Sequence, residues 1–310
     1  MNIRFSKYKN KKSIVVENNR IRAEFISDPG GKMVSLVGKD TGYEFLVQRP
    51  GEVYREQPFD GCYTDGECSG FDDMFPTIDA CAYDTEPWKG VKMADHGEVW
   101  SLPWEHRIKD NTLELSVKGI RFQYELKKQV FFVDENILRI AYTLVNNSAH
   151  DFEFLWAGHF MFNMEEGMRV AVPDDCKEAI SILTNTDRAF GEIMHWPHFK
   201  DISGEVYRAD ISRPATSGGF EKYYFKNKLK DGWCELHYPD SKKKLAVSFS
   251  ADTVPYLGIL MNEKGWDNLY NIFIEPCTVC YDRPDLAKRH GQVSKVAAGG
   301  EYQWYVDLTL

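Results

Sequence analysis

Apolar and polar positions alternate with period two over most of this chain. Ile21, Ala23 and Phe25 are separated by Arg22 and Glu24, Leu113, Leu115 and Val117 by Glu114 and Ser116, and Phe122, Tyr124 and Leu126 by Gln123 and Glu125. The same rhythm runs through Leu138, Ile140, Tyr142 and Leu144, and it returns at 245–249, 256–261, 271–275 and 303–310. Each stretch is short, and most are bounded by Gly, Pro, Asn or Asp, as strands with one buried face are. Helical periodicity is scarce. Residues 284–290, opened by Pro284 and closed by Gly291, predict a helix of about two turns.

Strands and helices do not alternate regularly, so neither a doubly wound sheet nor a βα-barrel is expected. No fixed-period repeat points to a propeller or solenoid. The chain reads as all-β: one large antiparallel β-sandwich over residues 1–310, with few short helices and no dividing linker. Residues 49–95 are rich in Gly, Asp, Pro and aromatics and weak in alternation, and residues 174–232 look similar. Both are expected to be long loops with short strands, the first crossing one end of the sandwich. Loops of that length in a compact domain usually carry function.

With 43% hydrophobic residues in 310, the chain can bury a large core. Its 38 basic against 47 acidic residues leave a net charge of −9, which repels nucleic acid and anionic membranes. The one basic run, Lys242, Lys243 and Lys244, follows a Pro-Asp-Ser turn and is expected to be a solvated hairpin end. No apolar run approaches the roughly 18 residues of a membrane span, and no apolar stretch follows the basic N-terminal residues. A cytoplasmic location is the expectation. Seven cysteines, an odd number, suggest reduced thiols. Cys277 and Cys280 have CxxC spacing without a second pair or a redox-motif context, so a metal or redox role is not expected.

Phosphate loops, dinucleotide fingerprints and zinc-protease signatures are absent. What remains is a set of polar residues in apolar and aromatic surroundings. Asp95, His96, Gly97 and Glu98 open onto a stretch holding Trp100 and Trp104, which suits either a pocket rim or a tied-down turn. His159 lies in the apolar run 156–162, where it is either a buried hydrogen-bonding residue or an acid in a cleft. Glu275 follows three apolar strand residues and precedes Pro276, so it is either a salt-bridged strand end or a carboxylate aimed from one. A deprotonated Glu and a protonated His can coexist near neutral pH and do general base and acid work on one substrate. Aromatic faces suit the C–H patches of a sugar ring, and among Trp88, Trp100, Trp104, Trp156 and Trp266 one or two are expected at such a site.

In order and spacing, these elements resemble the aldose 1-epimerase (galactose mutarotase-like) family over nearly the whole chain. The likeness is carried by residues 17–25 and 30–36, Gly70 to Pro76, Asp95-His96-Gly97, Gly158-His159-Phe160, Ile274-Glu275-Pro276 and Gly299-Gly300-Glu301. It implies a two-sheet supersandwich with a concave site for a monosaccharide or sugar derivative, and no metal or cofactor. By resemblance, Glu275 is the base on the anomeric hydroxyl, His159 the acid on the ring oxygen, and His96 holds and polarises the sugar. Asp95, Asp73, Trp100 and Trp156 complete the expected sugar contacts. Removal of the O1 proton with protonation of O5 would open the ring to the aldehyde. Rotation about C1–C2 and reclosure would then give the other anomer.

This sequence departs from the family in its early loop, where Asp72 and Asp73 stand in place of an Asn-Arg pair that binds sugar hydroxyls. The identity of the aldose therefore stays open. Two other readings remain: a non-catalytic carbohydrate-binding or regulatory protein on the same scaffold, and a carbohydrate lyase or hydrolase drawing paired carboxylates from Asp72, Asp73 and Glu275. The sequence is compatible with a monomer or a homodimer.

Overall fold

The alternating stretches pair into two large antiparallel sheets in a computed structural model that describes residues 2–201 and 203–310. The smaller sheet has eight strands, in the order Arg169–Ala171, Gly232–His237, Lys244–Phe249, Glu301–Thr309, Ile137–Asn146, Tyr124–Phe132, Thr112–Lys118 and Glu105–Lys109. Here the period-two pattern is followed literally: along Ile137–Asn146 every second residue is buried. Leu138, Ile140, Tyr142 and Leu144 face the other sheet, and Arg139 and Thr143 face outward.

The larger sheet has twelve strands. Its centre runs Met33–Gly38, Phe71–Met74, Ala157–Asn163, Tyr270–Cys277, Tyr256–Glu263, Phe220–Phe225 and Glu178–Thr184. These middle strands are covered on both faces, so 157–162, 256–263 and 271–277 are buried continuously, in place of the alternation expected at 256–261 and 271–275. On the inner face they join the main core, with Trp156, Phe160, Tyr142 and Trp304 packed between the sheets. On the outer face a second apolar cluster forms, in which Tyr63, Ile78 and Trp100 from the loops, Val279 from the turn after Tyr270–Cys277 and Ala287 from the helix join Met161, Leu260 and Phe273.

Two segments expected as loops contribute central strands. Phe71–Met74 lies inside 49–95 and pairs with Ala157–Asn163. Glu178–Thr184 and Phe220–Phe225 lie inside 174–232 and pair with each other, and Phe220–Phe225 also pairs with Tyr256–Glu263. Phe71–Met74 and Phe220–Phe225 escape a pattern reading because buried charged residues, Asp72, Asp73 and Lys222, occupy positions where apolar ones are expected. The predicted helix forms at Pro284–Arg289, followed by Gly291 in the left-handed region (φ +68°). Among the described residues no helix is long and apolar enough to cross a membrane.

Candidate active site

The site lies on the outer face of the larger sheet, where its middle strands meet the long loops. Antiparallel pairing sets His159 opposite Asp72 on one side, while Phe160 on the same strand pairs with Ile274, the residue before Glu275. Glu275 in turn pairs with Gly258, and Gly258 with Tyr224, so Lys222 arrives two residues away on the next strand. Gly258 is needed there, because a Cβ at that position would come within 2.8 Å of the Tyr224 ring. Three strands far apart in sequence, with Tyr256–Glu263 between two of them, thus place His159, Glu275 and Lys222 close together.

Glu275 is fully buried, with Oε1 3.2 Å from His159 Nε2 and Oε2 2.8 Å from Lys222 Nζ. Neither contact has aligned hydrogen-bond geometry, so neither carboxylate oxygen has an aligned donor. Lys222 Nζ also lies 2.9 Å from Asp282 Oδ1, which accepts a hydrogen bond from Tyr224 at 2.7 Å. Burial opposes ionisation of Glu275, but Lys222 and His159 outweigh it and hold the carboxyl below its ordinary range. Burial likewise works against the Lys222 ammonium, and Asp282 and Glu275 more than compensate, raising its pKa. His159 goes the other way: burial lowers its pKa, and Glu275 offsets this only in part. These directions favour the anion of Glu275 and oppose the protonated form of His159.

The opposite wall comes from the loops. His96 sits at φ +57° followed by Gly97 at +79°, and a Cβ on Gly97 would fall 2.1 Å from the Phe75 carbonyl oxygen, so only glycine lets this loop pass so close. Asp95 Oδ1 lies 2.8 Å from His96 Nδ1, and Asp95 Oδ2 accepts the Tyr63 amide at 2.8 Å. Burial would raise the Asp95 pKa, but His96 and that amide outweigh it and hold it low. Tyr63 stacks on His96 with ring centroids 4.2 Å apart, lies 3.4 Å from His159 Nδ1, and donates its hydroxyl to Asp72 at 2.9 Å. Lys32 completes that corner, bonded to Asp72 at 2.6 Å. Glu98 turns away and ties the loop to the smaller sheet by accepting from the backbone of Ile120 and Arg121 and from Tyr124.

Between these walls is a cleft of about 210 Å³. Its polar groups are His96, His159, Lys222, Asp79, Asp282 and Tyr63, and its apolar side is made by Ile78, Leu183, Phe220, Leu260, Trp266 and Phe273. Of the residues the sequence singled out, His96 and His159 line the cleft, and Glu275 lies directly behind His159 and Lys222. Asp95 and Trp100 stand one layer back: Trp100 packs edge-on against Tyr63 and donates to the Asp95 carbonyl. Asp73 and Trp156 are elsewhere. They bond to each other at 2.9 Å between the sheets, on the far side of the strands from the cleft. Of the five tryptophans considered, Trp266 lines the cleft. Trp104 is buried in the core, and Trp88 packs on Tyr83 and Phe152. Sequence reading missed Tyr63, Lys222 and Asp282. The one available signal was Lys222, a lysine amid the aromatic run 220–225. Among the described residues, no three His, Cys, Asp or Glu side chains are gathered as a metal ion would require.

No protein-family model and no curated protein matches this sequence. The fold, however, is shared with solved structures. The Slr1438 protein of Synechocystis sp. PCC 6803 superposes with a TM-score of 0.71 over 98% of both chains at 16% identity. A galactose mutarotase-like protein from Lactobacillus casei gives 0.69 over 96% of this chain and 99% of the other, also at 16% identity. A galactose mutarotase related enzyme from Lactobacillus acidophilus gives 0.65 over 96% of each chain at 17% identity. At such identities the likeness establishes the galactose mutarotase-like β-sandwich fold, and the chemistry must be argued from the site.

Proposed function

We propose that this protein interconverts the α and β anomers of a neutral aldose, with Glu275 and His159 as the proton-transferring pair. The observation that carries the reading is their contact at 3.2 Å beneath a cleft that also exposes His96. Mutarotation asks for a base at O1, an acid at O5, and room for C1–C2 rotation. An anionic Glu275 suits the base. His159 acts as the acid in its protonated form, which Glu275 stabilises. The cleft pairs an apolar wall bearing Trp266 and Phe273 with a polar wall of hydrogen-bonding groups, as the two faces of a pyranose demand. Because Glu275 has no exposed surface, reaching O1 requires His159 or Lys222 to shift when the sugar binds.

A neutral substrate follows from the charge lining the cleft. Lys222 is the lysine or arginine among the described lining residues, and it is already committed to Glu275 and Asp282. Asp79, at the same surface, has its pKa raised by burial and by Asp282, so added negative charge is unwelcome there. A sugar phosphate, uronate or sulfonate would find no uncommitted lysine or arginine among these residues.

The test is two-dimensional exchange NMR on neutral, phosphorylated and sulfonated aldoses, with and without protein. Accelerated exchange of a neutral sugar, lost in E275Q, is the expected result. Acceleration confined to anionic sugars would overturn the substrate class, and unaltered acceleration in E275Q would overturn the role of Glu275.

One observation favours a second reading, a non-catalytic sugar-binding protein: Glu275 is closed off from the cleft. That reading predicts saturable binding with unaccelerated anomeric exchange. Hydrolysis is less well served, because Asp72 and Asp73 are divided between the two faces of the sheet.

A further inference from the structure

We propose that Lys222 is a positioning residue for the Glu275–His159 pair, its ammonium fixing the charge beneath the cleft and joining the strand side of the site to the loop side. The inference rests on the mutarotase reading for its kinetic consequence, while its electrostatic consequence stands without it.

The geometry is that of a clamp. Lys222 Nζ touches Glu275 at 2.8 Å and Asp282 at 2.9 Å, and all three side chains are buried. Asp282 continues the connection into the loops. Its carbonyl oxygen accepts the amides of Ile78 and Asp79 at 3.1 and 2.9 Å and lies 3.3 Å from the Thr77 hydroxyl. The Ile78 carbonyl in turn accepts the His96 amide at 2.5 Å. One chain of contacts thus runs from Glu275 through Lys222 and Asp282 to the backbone that carries His96.

This lysine is shared by two carboxylates, and a single cation between two buried anions leaves a local charge of about −1. Removing it would strand both anions, a large cost in a buried site. The groups that face Glu275 come from several elements: His159 from Ala157–Asn163, Lys222 and Tyr224 from Phe220–Phe225, and Cys277 and Asp282 from its own strand end and the turn beyond. His96 faces His159 from the loop side, and Asp79 faces Asp282 and Lys222. Lys222 is the one permanently cationic side chain in this set. Its positive charge favours the anion of Glu275 and disfavours the cation of His159, so both groups titrate lower because of it.

Neutralising Lys222 therefore moves both groups in one direction. In Lys222→Met, the acid and alkaline limbs of kcat/KM are both expected to shift to higher pH by about one pH unit or more. Lys222→Arg, which keeps the charge, leaves the limbs in place whatever its rate. Asp282→Asn, which removes a negative charge and keeps the lysine, moves both limbs downward. The same titration is read without any sugar by NMR of the His159 imidazole, assigned by its loss in His159→Asn. A folded Lys222→Met protein whose limbs and His159 titration match wild type overturns the proposal. If Lys222→Met does not fold, Lys222→Gln, neutral and able to hydrogen-bond both carboxylates, decides, and an unmoved His159 titration there overturns the proposal equally. Should no sugar exchange faster with wild-type protein, the mutarotase reading fails, and the His159 titrations still decide the role of Lys222.

Discussion

Asp72 and Asp73 are adjacent in sequence and serve opposite faces of one sheet. Asp72 accepts from Lys32 at 2.6 Å and Tyr63 at 2.9 Å on the side of the cleft. Asp73 accepts from Lys128 at 2.7 Å and Trp156 at 2.9 Å between the sheets. The strand period of two makes this division obligatory. It assigns one aspartate to the wall of the site and the other to the core, although the sequence treats them as a pair.

The core member of that division is a test of stability apart from function. Asp73 and Lys128 have no exposed surface, and removing one partner of a buried pair costs about 3–5 kcal/mol. Lys128→Met is expected to lower the urea midpoint accordingly with little change in slope, while sugar binding by the folded fraction is retained. A midpoint equal to wild type would show that the pair contributes nothing net.

Glu275→Gln and His159→Asn preserve shape and remove the base or the acid. Each is expected to slow anomeric exchange by about 10²–10⁴-fold, the usual contribution of a positioned acid or base. Thermal melting followed by circular dichroism checks that both variants remain folded, so a loss of rate is not a loss of fold.

The pH dependence has a definite sign. Glu275 must be anionic, and its pKa is held below the ordinary carboxylate range, so activity on the acid side persists to unusually low pH. His159 must carry a proton to serve as the acid, and its pKa is held below the usual 6.5, so kcat/KM is expected to fall as pH rises through a value below 6.5. A profile that instead rises through that range would make neutral His159 the base and reverse the assignment.

Thiol reactivity reports burial independently. Cys62 is exposed, whereas Cys68, Cys176, Cys234, Cys277 and Cys280 are buried and Cys81 is partly covered. Burial pushes the Cys68, Cys176 and Cys280 thiols up to about 12 and Cys81 to about 11. A disulfide reagent at neutral pH is expected to label Cys62 rapidly in native protein and all seven cysteines in denaturant.

Local pattern along the chain is enough to specify the all-β class, the strands with one buried face, the short helix at Pro284–Arg289 and the candidacy of His159 and Glu275. Alternation records which residues of a strand are buried, and a polar residue inside an apolar run stands out wherever the strand goes. Which strands are neighbours, and which face of each meets the cleft, is settled in three dimensions. Lys222, Glu275 and His159 meet because Phe220–Phe225, Tyr256–Glu263, Tyr270–Cys277 and Ala157–Asn163 lie side by side, an order set by long-range pairing that no local pattern encodes. The same holds for Tyr63, which a loop folds back over the sheet, and for Asp73 and Trp156, which a half-period of pleat turns into the core. Charge state depends on the folded arrangement too. Burial opposes protonation of His159 and Lys222 favours the anion of Glu275, because desolvation and Coulomb interaction depend on distance in space rather than on separation along the chain.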